Sequence, residues 1–161
     1  MKRLLFLLTA GIIFFGSSCK QVSSQQYNDT VVNMYSSYTT KLSSGLMVLG
    51  STTADAAKKQ AAAEQIDRLT DSCTKVMNEL KPVEEAKDFH ARMLQVYQAV
   101  KTDLVPLGRR IAAIPKPEDN VDAYNKLAEE LDATSEKLDA LETETQNAQA
   151  AFAAKVNMRV K

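Results

Sequence analysis

Residues 121–160 read VDAYNKLAEELDATSEKLDALETETQNAQAAFAAKVNMRV, and the spacing within them decides the fold class. Tyr124, Leu127, Leu131, Thr134, Leu138, Leu141, Thr145, Ala148 and Phe152 recur in alternating steps of three and four. On a helix that spacing lays one seam along one face. Charges such as Glu129, Glu130, Asp132, Glu136, Lys137, Asp139, Glu142 and Glu144 surround the seam. A helix cannot cover its own stripe, so other elements must pack against it.

Three earlier segments carry the same kind of pattern. From about 27 to 49 the seam is Tyr27, Val31, Met34, Tyr38, Leu42, Leu46 and Leu49, and Gly50-Ser51-Thr52 stops it. From about 53 to 81 it is Ala62, Ile66, Leu69, Cys73, Val76 and Leu80, and the alanines at 54, 56, 57, 61 and 62 leave the first half thin enough for close approach. Pro82 suits the first turn of a third helix. That helix uses Phe89, Met93, Val96, Val100, Leu104, Leu107, Ile111 and Ile114. Pro106 lies inside it without an N–H to donate, which predicts a kink near residues 102–105 or a break into two helices. Pro115-Lys116-Pro117-Glu118-Asp119-Asn120 is a loop.

One seam per long helix, with short connections, predicts an all-α fold: an antiparallel up-down-up-down four-helix bundle over residues 27–161. Helices of this length give a bundle about 40 Å long. The composition agrees, with five glycines and no tryptophan in the chain.

The amino-terminal end is of another character. Met1-Lys2-Arg3 is basic, and LLFLLTAGIIFFG, residues 4–16, carries no charge. Such a stretch spans about 20 Å as a helix, short of the roughly 30 Å hydrocarbon core. It therefore reads as a cleaved secretory segment rather than a membrane span. Phe15-Gly16-Ser17-Ser18-Cys19-Lys20 resembles the lipobox of bacterial lipoproteins in its relaxed, Bacteroidetes-type form, with Gly16 where the strict form has Leu.

The resemblance implies cleavage after residue 18 and diacylglycerol on the Cys19 thiol. Residues 19–26 would then be a lipidated anchor and tether. Two or more acyl chains hold a protein stably on a membrane. Lys20, in place of the Asp that favours inner-membrane retention, implies an outer-membrane lipoprotein facing the periplasm or the cell surface. The start of the mature part, Gln26-Tyr27-Asn28-Asp29-Thr30-Val31-Val32, is also similar to small helical-bundle surface and periplasmic lipoproteins, a likeness that brings no activity with it.

Removing Lys2 and Arg3 leaves 18 basic side chains against 20 acidic ones. That balance argues against a nucleic-acid partner, which needs a basic face. With Cys19 acylated, Cys73 is the only remaining thiol, and its seam position reads as a small buried hydrophobe. His90 is the only histidine, with Lys87 three residues before it, so the Glu-x-x-His pairs of a di-iron bundle are absent. Met93 lies one turn from His90 on the same helix, so the two cannot bracket a haem, and there is no Cys-x-x-Cys-His. No Ser-His-Asp setting or glycine-rich phosphate loop is readable. No catalysis and no cofactor are expected.

The tyrosines leave two readings open. Tyr27, Tyr35, Tyr38, Tyr97 and Tyr124 fill a core with hydroxyls at its rim. Alternatively, Tyr35, Tyr38, Tyr97 and Tyr124 line a small-ligand pocket at one end of the bundle. Asp29-Thr30-Val31 resembles the short Asp-Ser/Thr-apolar O-glycosylation motif of Bacteroidetes periplasmic proteins, which would modify Thr30. The function expected is a structural or protein-interaction module held to the membrane by Cys19 and meeting an envelope protein. The alternative is a binder of a small apolar or aromatic ligand in the bundle interior.

Overall fold

The computed structural model describes residues 23–114 and 119–158, and every regular element among them is helical. The fold is an all-α bundle. The expected secretory segment and Cys19 lie outside the described residues, as do residues 115–118 of the loop.

Helix α1 covers Ser24–Gly50, three residues longer at its start than the seam implied. Ser23 and Gln26 form a reciprocal capping box: the Ser23 hydroxyl accepts from the Gln26 N–H, and the Gln26 side chain accepts from the Ser23 N–H. The cap satisfies amide donors that a helix start otherwise leaves unpaired, so residues 24–26, expected as the end of the tether, are helical instead. Helix α2 covers Ala56–Glu79 and is capped by Asp55, whose carboxylate accepts from the Lys58 N–H at 2.7 Å.

A 3-10 turn at Glu84–Ala86 leads into α3 (Lys87–Ala99), then a π-turn at Val100–Leu104, then α4 (Val105–Ala112), without a gap in the helical run. Proline cannot donate to the carbonyl four residues back and its ring crowds that carbonyl. Here the turn before Pro106 is widened, and the Val105 N–H reaches back five residues to the Val100 carbonyl. Helix α5 covers Val121–Lys155.

Cross-links set the helices side by side. Tyr38 meets Thr70 between α1 and α2, and Lys101 in the π-turn meets Asp67 and Asp71 of α2. Arg92, Asp103 and Arg110 pair with Glu144, Lys137 and Glu130 of α5. Along the contact with α5, rising numbers from 92 to 110 meet falling numbers from 144 to 130.

Small residues draw one side of the bundle together. A Cβ at Gly45 would stand 2.9 Å from the Ile66 side chain, and one at Gly108 would stand 3.0 Å from Leu49 and 3.4 Å from Ala63. Of the alanines expected to allow close approach, at 54, 56, 57, 61 and 62, only Ala62 is buried; the approach is made at Gly45, Gly108 and Ala63 instead. The seam of α3 and α4 is buried almost throughout. On α2 the seam is rotated: Thr70 and Met77 are buried and Val76 is 43% exposed, with Lys59, Ala63, Ile66 and Cys73 completing the inner face.

A groove between α1 and α5 with an acidic rim

The fourth side of the bundle is built differently from the other three. Where α1 and α5 face each other, three cavities of about 150, 370 and 240 Å³ follow one another along the seam. Polar side chains span it. Asn28 accepts from Gln149 at 2.9 Å, the Tyr35 hydroxyl donates to the Glu142 carboxylate, and the Tyr124 hydroxyl donates to the Gly50 carbonyl at 3.2 Å. Side chains of this length keep two helix axes apart where glycine and alanine would let them close.

The 370 Å³ cavity is the middle and largest of the three. Leu42 and Leu46 of α1, Val96 and Val100 beneath, and Leu138 of α5 make its apolar walls. Tyr35, Thr39, Ser43, Ser135, Asp139 and Glu142 supply polar atoms at its rim. Val100 opens the π-turn, so the widened helical turn forms part of the floor.

Three of the four expected pocket tyrosines do come together, at mid-height of α1 rather than at an end of the bundle. Tyr38 and Tyr97 meet edge-on at 4.9 Å, and Tyr35 stacks on Tyr38 at 6.1 Å. Only Tyr35 lines the cavity; Tyr38 and Tyr97 are buried. Tyr124 stands apart and lines the 240 Å³ cavity instead.

The Thr70 hydroxyl donates its one proton to the Ile66 carbonyl at 2.8 Å, so Tyr38 is the donor in its 3.1 Å bond to Thr70. Burial pushes the Tyr38 hydroxyl up to about 12. Tyr35 is raised further, by burial and by the Glu142 carboxylate it bonds, which keeps it a donor. The Tyr97 hydroxyl is buried without hydrogen-bonding geometry to any neighbour among the described residues; the Cys73 thiol is close enough to influence it electrostatically.

Beyond the groove, Tyr27 is fully buried, with its ring edge-on to Phe152 at 6.1 Å and its hydroxyl 2.8 Å from Nδ1 of His90. His90 is half-buried, and desolvation lowers its pKa. Cys73 is buried, and burial raises its thiol. Thr30 is exposed on α1, with its hydroxyl bonded to the Gln26 carbonyl at 2.8 Å. No group of three His, Cys, Asp or Glu side chains converges for a metal among the described residues, and no helix there is long and apolar enough to cross a membrane.

Lys59 has no counterpart among the sequence expectations. The residue is 1% exposed and its ammonium has no hydrogen-bond partner among the described residues, lying 4.9 Å from the centre of the Tyr124 ring. Asp139 and Glu142 were visible in the sequence only as charges beside a seam. Nothing in the α5 sequence alone states that Glu142 stands opposite Tyr35, because that depends on the register between two helices 107 residues apart. No family model, curated protein or solved structure matches this chain.

Proposed function

We propose that the chain is a lipid-tethered, non-catalytic binding module of the cell envelope, held to the outer membrane through Cys19, and that it takes a small apolar or aromatic molecule into the α1/α5 groove. The observation that carries this reading is the 370 Å³ recess with apolar walls beneath Tyr35. Small-molecule sites commonly occupy about 300–1,000 Å³, with mostly apolar walls and a few placed polar groups.

A protein-docking face gains less support. It calls for contiguous exposed apolar surface, and the large exposed apolar residues Val32, Met47, Val76 and Val121 are spread over three helices. The groove is instead a recess, suited to a molecule smaller than a helix.

The test is native mass spectrometry of the protein extracted from its own membrane, beside a Ser43→Trp variant. Ser43 lines the cavity from an exposed position on α1, so an indole there fills the recess without entering the core. A bound small molecule present in the wild type and lost in the variant is the expected result. No bound molecule in either sinks the reading. The anchor is tested separately: Cys19→Ala should abolish labelling by a radioactive fatty acid, and unchanged labelling refutes lipidation at that residue.

A further inference from the structure

The charges on α5 are divided between its two sides. Toward α3, the π-turn and α4, three ion pairs bridge the interface: Arg92 with Glu144, Asp103 with Lys137, and Arg110 with Glu130. Toward α1 the charged side chains that line the three cavities are acids. Asp139 and Glu142 stand on the rim of the 370 Å³ cavity, and Asp132 lines the 240 Å³ cavity. Neither Asp139 nor Glu142 is in an ion pair among the described residues, and no Lys, Arg or His lines any of the three cavities.

Apolar walls with carboxylates at one edge complement a molecule that has an apolar body and a cationic head. Glu142 is half-buried, where a carboxylate attracts a cation more strongly than on an open surface, and exposed Asp139 adds a weaker pull beside it. The Tyr35 ring, stacked on Tyr38, adds an aromatic face beside the same rim, and such faces favour ammonium groups.

We propose that the α1/α5 groove selects a small organic cation, an amine or guanidine with an apolar or aromatic body, whose head lies between Asp139 and Glu142. This rests on the small-ligand reading above and narrows it. The Tyr35–Glu142 bond crosses the groove beside the cavity and limits the length of an occupant, which favours a small molecule over an extended peptide.

The experiment is calorimetric titration of the full chain in lipid nanodiscs, corrected with empty nanodiscs. Three probes share one skeleton: phenylpropylamine, phenylpropanol and phenylpropionate. The amine should bind at least about tenfold more tightly than the alcohol, and the anion most weakly, with the amine's advantage shrinking as salt is raised.

The double variant Asp139→Asn/Glu142→Gln should bring the amine to the level of the alcohol. Gln at 142 keeps an acceptor for the Tyr35 hydroxyl, so the rim stays in place. Ser43→Trp should abolish binding of all three probes. Equal affinity for amine and alcohol overturns selection by charge and leaves the small-ligand reading standing. An amine preference that survives the double variant also overturns it, because the charge then lies elsewhere. No binding of any probe overturns both. A basic amphipathic peptide that binds more than about tenfold tighter than the amine, through the same carboxylates, overturns the small-molecule form.

Discussion

Replacing Lys59 by methionine should make the protein more stable. Lys59 is 1% exposed, and its ammonium has no hydrogen-bond partner among the described residues and is offset by the Tyr124 ring at 4.9 Å. An unsatisfied buried polar group costs about 1–3 kcal/mol, and more when charged, while a cation–π contact returns about 1–2 kcal/mol. Methionine keeps most of the length and fills the same apolar path without a charge. The net gain is about 1–2 kcal/mol, or about 3–6 °C in Tm for a domain of this size.

The sign also depends on pH. Burial lowers the pKa of Lys59 in the folded protein, whereas the unfolded chain titrates near about 10.4. Between those two points the unfolded chain binds more protons, so the wild type gains stability as pH rises through that interval. The advantage of Lys59→Met should therefore be largest at neutral pH and narrow toward about pH 10.4. Urea unfolding at several pH values, with an unchanged m-value, measures both. A variant less stable than wild type at neutral pH, by a margin that does not vary with pH, would falsify the account and mean that the ammonium has a partner.

Gly45→Ala should destabilise by about 1–2 kcal/mol, because its Cβ meets Ile66 at 2.9 Å; adding Ile66→Val should recover part of the loss in the same unfolding assay. Tyr27→Phe removes the bond to His90 and should cost about 0.5–1.5 kcal/mol, small because half-buried His90 can still reach water. His90 has a depressed pKa, so its contribution is present above about pH 6.5 and lost as pH falls through the folded value; His90→Gln should flatten that acid limb, and an unchanged limb refutes the assignment. Cys73 should react with a thiol reagent only as fast as the bundle opens, so that adding mild denaturant accelerates labelling; fast labelling of the native protein contradicts its burial.

The fold class was legible because long helices with one seam leave few alternatives. The third seam was read almost residue for residue, since Phe89, Met93, Val96, Val100, Leu104, Leu107 and Ile111 are all buried. On α2 the alternation of three and four fits two neighbouring stripes. Hydrophobicity favoured Val76, but the helix turned Met77 and Thr70 inward, because Thr70 could satisfy its hydroxyl against Ile66 while accepting from Tyr38. The early start of α1 was also written in the chain, as Ser23 followed three residues later by Gln26.

The groove was not legible. Its tyrosines could be listed, but which of them share a cavity depends on packing across α1, α3 and α5. Tyr35 and Tyr38 lie three residues apart, yet only Tyr35 reaches the groove. Lys59 escaped notice for a simpler reason: lysine is rarely buried without a partner, so the adjacent Lys58 and Lys59 inside an alanine-rich run both read as surface charges.

The polar links across the α1/α5 seam also bear on the order in which the chain assembles. Tyr35–Glu142 and Asn28–Gln149 close loops spanning 107 and 121 residues, against 32 for the Tyr38–Thr70 contact between α1 and α2. Chain-closure entropy grows with loop length, and contacts of low sequence separation form sooner. The α1–α2 hairpin can therefore zip locally, and α5 docks on α3 through its ion pairs before its other edge meets α1. Closure of the seam should therefore be the last step of folding, and the same edge should be the first to separate in hydrogen exchange of the native protein.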